Sequence, residues 1–229
     1  MASFAHDQRS GKDADADGKN VPRKDSLSMN AHDPPYNNLV QPLLTDFYQI
    51  SMAHAYWKSG RHALPAVFDV FFRKNPFHGE YTVFAGLDEV LRYVKNYGFT
   101  DSDIAYLRKR MPYAEAGFFE YLESVDTSEV VIHSMFEGSV CFPRVPVIRL
   151  HGPLLICQLL ETTILNLTNY ASLMATNASR FRMAAGRDKT LLEFGLRRAQ
   201  GTVFPSVFIH RAARTNVTLA LYCRFWSRS

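Results

Sequence analysis

Apolar and polar positions along this chain repeat with two periods, and the changes from one to the other mark out its elements. From Thr45 to about Lys58 the pattern is helical. Thr45 suits the N-cap, Asp46 the first turn where negative charge is favoured, and Gly60 the stop. Residues Pro65–Arg73 alternate, with Ala66, Phe68, Val70 and Phe72 on one face, which predicts a strand. Phe84, Leu87, Val90, Leu91 and Val94 then return to helical spacing, and Gly98 ends a predicted helix over Phe84–Tyr97. Thr100 and Asp103 resemble a capping box that opens a helix over Ser102–Arg110, and a third short helix is predicted over Ala114–Ser124.

From Glu129 to Gly152 the chain turns to strands. Val130–Phe136, Ser139–Phe142 and Val145–Leu150 are β-rich and separated by Gly138, Pro143 and Pro146. The longest periodic segment follows, Leu154 to about Ala185, with Pro153 suited to a first helical position and Gly186 at the end. A helix of that length predicts a kink or break near Asn169 or Asn177. Thr190–Phe194 is read as the next strand. The succession predicts an α+β module at 39–152, followed by the beginning of an α/β barrel or sheet at 153–201. Residues 1–38 are poor in large apolar groups and are expected to be a disordered leader, and 202–229 form a basic tail.

Composition narrows the possibilities. The chain has 229 residues and a formal net charge of +4. Beyond Gly201 it carries Arg211, Arg214, Arg224 and Arg228 and no acid, so the excess charge belongs to the tail and residues 1–201 are balanced. That distribution argues against a nucleic-acid face, as does the lack of interleaved basic and aromatic positions. Cys141, Cys157 and Cys223 are widely spaced, which predicts reduced thiols and no zinc site. No secretory leader is read at the polar N-terminus, and the apolar run at Leu154–Leu160 is cut by Gln158 and closed by Glu161, too short for a membrane span. A cytoplasmic location is expected, and the sequons at Asn166, Asn177 and Asn216 carry no weight.

The segment richest in chemistry is Leu191–Gly201, where a short apolar run ends in Glu193, a glycine turn at Gly195 and the adjacent Arg197 and Arg198. Guanidinium at the carboxyl end of a strand can grip carboxylate or phosphate in bidentate fashion. A solvated pair, or an ion pair with Glu193, would produce the same sequence. Arg73–Pro76 suits either a phosphate contact or plain surface. His54, His62, His78, His133, His151 and His210 lack metal-ligand spacing, and none is assigned a catalytic role.

Four segments, in order, resemble the nicotinate phosphoribosyltransferase family: Leu44–Gln49, Phe71–Pro76, Leu165–Ser172 and Glu193–Ala199. The resemblance spans residues 44–201. It implies a type II phosphoribosyltransferase-like barrel behind the N-terminal module, and dimers with sites shared between subunits. It also implies condensation of nicotinate with phosphoribosyl pyrophosphate, coupled to ATP hydrolysis with magnesium, in NAD salvage. Such chemistry needs fixed cations for a pyrophosphate leaving group and little covalent machinery for the sugar. Tyr48 matches the tyrosine whose ring stacks on the pyridine across the dimer interface. General burial tendencies alone would place Tyr48 in the core. Arg197 and Arg198 match the pair that supplies charge to substrate carboxylate or phosphate.

The resemblance ends after Gly201. The histidine that the family phosphorylates and its glycine-rich phosphate loops have no counterpart in residues 202–229. The expectation is a truncated copy with a tail from an altered reading frame or alternative exon, inactive alone. The competing function is a non-catalytic fragment that binds full-length subunits and perturbs their dimer. No membrane or nucleic-acid partner is expected.

Overall fold

One helix organises the described residues. The computed structural model describes residues 35, 38–186, 188–189 and 191–192. The expected leader up to residue 34, the strand at Thr190–Phe194 beyond its two described positions, Arg197, Arg198 and the tail at 202–229 all lie outside the described residues. Helix α5, Leu154–Ala185, runs unbroken for 32 residues, about 48 Å at 1.5 Å per residue. The expected break near Asn169 or Asn177 is absent, and Pro153 is the N-cap and not the first helical residue.

Strands β1 (Pro65–Phe71), β3 (Val131–Ser134) and β5 (Pro146–Pro153) form an antiparallel sheet in the order β1-β5-β3. Phe68, Leu150 and Ile132 lie opposite one another in the ladder and point toward the core, as the alternation in β1 predicts. A second, two-stranded sheet pairs β2 (Thr82–Val83) with β4 (Val140–Cys141). Helices α1 (Phe47–Lys58), α2 (Leu87–Lys95), α3 (Asp101–Arg110) and α4 (Ala116–Glu123) complete the described fold. Leu155, Leu159, Leu160, Ile164 and Leu167 of α5 share one buried core with Ile50, Phe84, Tyr93, Phe118 and Ile148. The first half of α5 is therefore packed into the same core as the elements before it. Cys141 and Cys157 are buried free thiols, and burial pushes both up to about 11.

Local signals hold where the bonding partners are local. The capping box at α3 forms as written: the Thr100 N–H donates to Asp103 Oδ2 at 2.8 Å, and the Asp103 N–H donates to Thr100 Oγ1 at 3.3 Å. Helix α1 begins one residue later than predicted, with Asp46 and not Thr45 as its N-cap.

The predicted helix over Phe84–Tyr97 is shorter, Leu87–Lys95, and Phe84–Gly86 are non-helical, continuing from strand β2 into a left-handed Gly86. The reason is tertiary. The N–H of Val83 donates to Thr176 Oγ1 at 2.9 Å, and the N–H of Ala85 donates to Ser172 Oγ at 3.0 Å. Ser172 Oγ donates in turn to the Ala85 carbonyl at 3.1 Å. Hydroxyls of α5 thus stand in for a neighbouring strand.

Helices α1 and α4 are joined by ionic and aromatic contacts. The Glu115 carboxylate meets His54 Nε2 at 2.7 Å and Lys58 Nζ at 2.6 Å. The Lys58 hydrogen bond, then that of His54, holds the Glu115 carboxyl down to about 2. A carboxyl depressed in the folded state stabilises it above the unfolded value and loses that contribution as pH falls through the folded one. Acid unfolding should therefore lose a component between about pH 4.5 and 2. Glu115→Gln should flatten the pH dependence of the denaturation midpoint in that window, and high salt should shrink it. An identical profile for the variant would show that the link contributes nothing.

Candidate functional site

The first turn of α1 meets the second and third turns of α5. Tyr48 lies there with half of its surface exposed, while Gln49, the next residue, is completely buried. Successive residues of a helix point about 100° apart and do not ordinarily face each other. Here the two side chains converge, and Gln49 Nε2 donates to Tyr48 Oη at 3.1 Å. The same amide lies 3.2 Å from Glu161 Oε2 and 3.2 Å from Thr162 Oγ1. Gln158 donates to Glu161 Oε2 at 2.9 Å and also to the Gln49 carbonyl oxygen. An ionised carboxylate can only accept, so Glu161 fixes the orientation of both amides. Thr163 Oγ1 closes the junction from the other side by donating to the Leu44 carbonyl at 2.6 Å.

This environment acts on the phenol of Tyr48. Partial desolvation, then the negative charges of Glu161 and Asp46, raise it above its ordinary value. The ring is therefore a neutral, half-open aromatic surface at physiological pH.

The Phe71–Pro76 segment leaves the end of β1 and turns back toward α5. Arg73 and Lys74 are exposed, and Asn75 Oδ1 accepts from Thr82 Oγ1 at 3.0 Å. A short 3₁₀ turn, Pro76–His78, places Phe77 and His78 at φ of 58° and 52°, a region that side chains larger than glycine seldom occupy. The Arg180 guanidinium of α5 sits 5.5 Å from the centre of the Phe77 ring. In the Leu165–Ser172 segment, Asn169 is exposed and Tyr170 half-buried, while Leu167, Thr168, Ala171 and Ser172 are buried. The inner residues of that segment dock the extended stretch before α2, which is a packing role.

Tyr48 is the one predicted site residue that lies within the described residues; Arg197 and Arg198 do not. Gln49, Gln158 and Glu161 were not singled out as site residues by the sequence, although it carries a trace of them. Gln158 and Glu161 are two polar residues three apart in an otherwise apolar run. Among the described residues no three His, Cys, Asp or Glu side chains converge to hold a metal ion, and no helix is long and apolar enough to cross a membrane.

Residues 43–169 match the family model described as the nicotinate phosphoribosyltransferase N-terminal domain. A nicotinate phosphoribosyltransferase of Caenorhabditis elegans is 62% identical over 176 residues, covering 76% of this chain and 31% of that protein. The chain thus spans about a third of the length of the curated relatives it matches. The crystal structure of human nicotinic acid phosphoribosyltransferase superposes with a TM-score of 0.68 at 42% identity, over 77% of this chain and 38% of that one. The nicotinate-nucleotide pyrophosphorylase of Pyrococcus furiosus shares the fold, with a TM-score of 0.57 at 21% identity, over 79% of this chain and 37% of that one.

Proposed function

Because the chain belongs to the nicotinate phosphoribosyltransferase family, we propose that it serves the formation of nicotinate mononucleotide from nicotinate and phosphoribosyl pyrophosphate in NAD salvage, with Tyr48 as a pyridine-stacking residue. The observation that carries this reading is the Tyr48 ring itself, half-exposed at the start of α1 and tied at its hydroxyl to a buried amide. A flat, electron-poor pyridine favours an offset stack on an electron-richer ring. The reading includes action of Tyr48 across a homodimer interface, with Arg197 and Arg198 gripping the substrate carboxylate or phosphate. ATP coupling, magnesium and the barrel that would carry the phosphates enter through the family resemblance. The described residues do not gather a metal site, so no step is assigned to them through a metal.

A second reading is that the chain associates with full-length subunits and alters their shared sites. It is supported by the large buried core that α5 shares with α1, α2, α4 and β5, which gives the module its own basis for folding. Nicotinate- and phosphoribosyl pyrophosphate-dependent product, measured for the purified chain alone and mixed with a full-length relative, separates the two. Product from the chain alone supports the first reading and overturns the expected inactivity of the isolated chain, and a changed rate only on mixing supports the second. No product alone and no change on mixing rejects both. In whichever preparation turns over, Tyr48→Ala should raise the nicotinate KM roughly 10- to 100-fold, and Tyr48→Phe should leave it near the parent value. An unaltered KM in Tyr48→Ala would eliminate the stacking role.

A further inference from the structure

The α1–α5 junction contains more polar order than helix packing requires. Gln49 is fully buried and Gln158 nearly so, on helices whose Ile50, Ala53, Leu155 and Leu159 belong to one apolar core. Two apolar side chains would fill such space without desolvating amides. The network instead ends on the Tyr48 hydroxyl. We propose that Gln49, Gln158 and Glu161 are positioning residues, a buried amide–carboxylate relay through which α5 fixes the orientation of the Tyr48 ring. The proposal rests on the stacking role given to Tyr48 and extends it to three residues that do not touch substrate.

The start of α1 explains why a relay is needed. The first turn of a helix lacks intrahelical partners for its N–H groups and frays unless it is capped. Asp46 makes no side-chain cap bond, and the first turn contains no acidic residue. A tyrosine there with half of its surface exposed has fewer packing contacts to set its side-chain torsions than a buried one. Gln49 supplies the missing restraint at the hydroxyl, from a backbone position one residue away. Gln158 and Glu161 then fix Gln49, holding its carbonyl oxygen and its amide nitrogen respectively. The relay touches Tyr48 only at its hydroxyl.

The decisive variant alters the far end of the relay. Gln158→Met keeps the side-chain length, removes no charge and leaves both Tyr48 and Gln49 in place. The readout is the ring resonances of the purified 229-residue chain labelled with ¹³C-tyrosine, Tyr48 being assigned by its absence in Tyr48→Phe. The parent chain should give one sharp set for Tyr48, shifted from free tyrosine. In Gln158→Met that set should broaden or move toward the free-tyrosine position, while the buried Tyr93 and Tyr97 keep their signals. Glu161→Gln, which keeps shape and removes the charge, should act in the same direction and serves alone if Gln158→Met does not fold.

Unchanged Tyr48 signals in a folded Gln158→Met, or in Glu161→Gln where that variant alone folds, overturn the relay, even if melting temperature falls, because a purely structural contact would lower stability and leave the ring undisturbed. A disturbed ring, together with a nicotinate KM indifferent to Tyr48→Ala, would preserve the relay and reject the stacking role it was built upon.

Discussion

Gly86→Ala should destabilise the protein by about 3 kcal/mol or more, among the largest losses expected from a single added methyl group. Two independent effects coincide there. Gly86 has φ of +104°, which an L side chain rarely adopts. A Cβ built on it would stand 2.7 Å from the Leu167 carbonyl oxygen and 3.2 Å from both Ala171 Cβ and Thr168 Cα. Those are atoms of a helix backbone and a fully buried alanine, so none can swing aside as a long side chain could. The residue also cannot move out, because its N–H donates to Glu137 Oε1 at 2.6 Å, beside the Leu87 N–H at 2.8 Å. The measurement is the free energy of chemical unfolding. A loss below about 1 kcal/mol would mean that α5 yields at this crossing and that the close approach is incidental.

Phe118→Ala should cost about 3–5 kcal/mol, and Phe118→Leu much less, about 1.5 kcal/mol or under. The Phe118 ring is completely buried on α4. It lies 4.9 Å from the His54 ring, 5.8 Å from Trp57 and 5.6 Å from Phe119, centre to centre. Its removal opens a cavity between α1 and α4 that the exposed Glu115 link cannot close. The same cluster secures the last turns of α1, the helix that carries Tyr48 in its first turn. Equilibrium denaturation of the two variants checks the magnitudes. Equal losses for alanine and leucine would show that ring geometry, and not filled volume, governs the contact.

The elements that could be read from sequence are those whose bonding partners lie within a few residues. The capping box of Thr100 and Asp103 is closed within one turn, so the residue types sufficed to predict it. Alternation in β1 and the long apolar period of α5 were equally legible, because burial on one face writes itself into the spacing. The start of α2 was misplaced for the opposite reason. Phe84 keeps helical spacing with Leu87 and is buried as expected, yet its neighbours Val83 and Ala85 take hydroxyl partners 93 and 87 residues away. No local pattern reports such partners.

The candidate site divides in the same way. The family resemblance singled out Tyr48, and burial tendencies alone had assigned that ring to the core; the fold leaves it half-exposed. Gln49, Gln158 and Glu161 were not identified as a group, since Gln49 and Glu161 are separated by 112 residues and acquire a common purpose only when α1 lies against α5. By itself, the sequence determined the family, most of the helices and strands, and the residue types available for an aromatic and cationic site. Periodicity and short motifs are properties of neighbouring residues, and they are complete before the chain folds. Only the tertiary structure decided that 84–86 stay out of the helix, that α5 runs unbroken for 32 residues, and that a buried polar network reaches the Tyr48 hydroxyl. Those features depend on hydrogen-bond partners and close backbone approaches that exist only once distant segments have met.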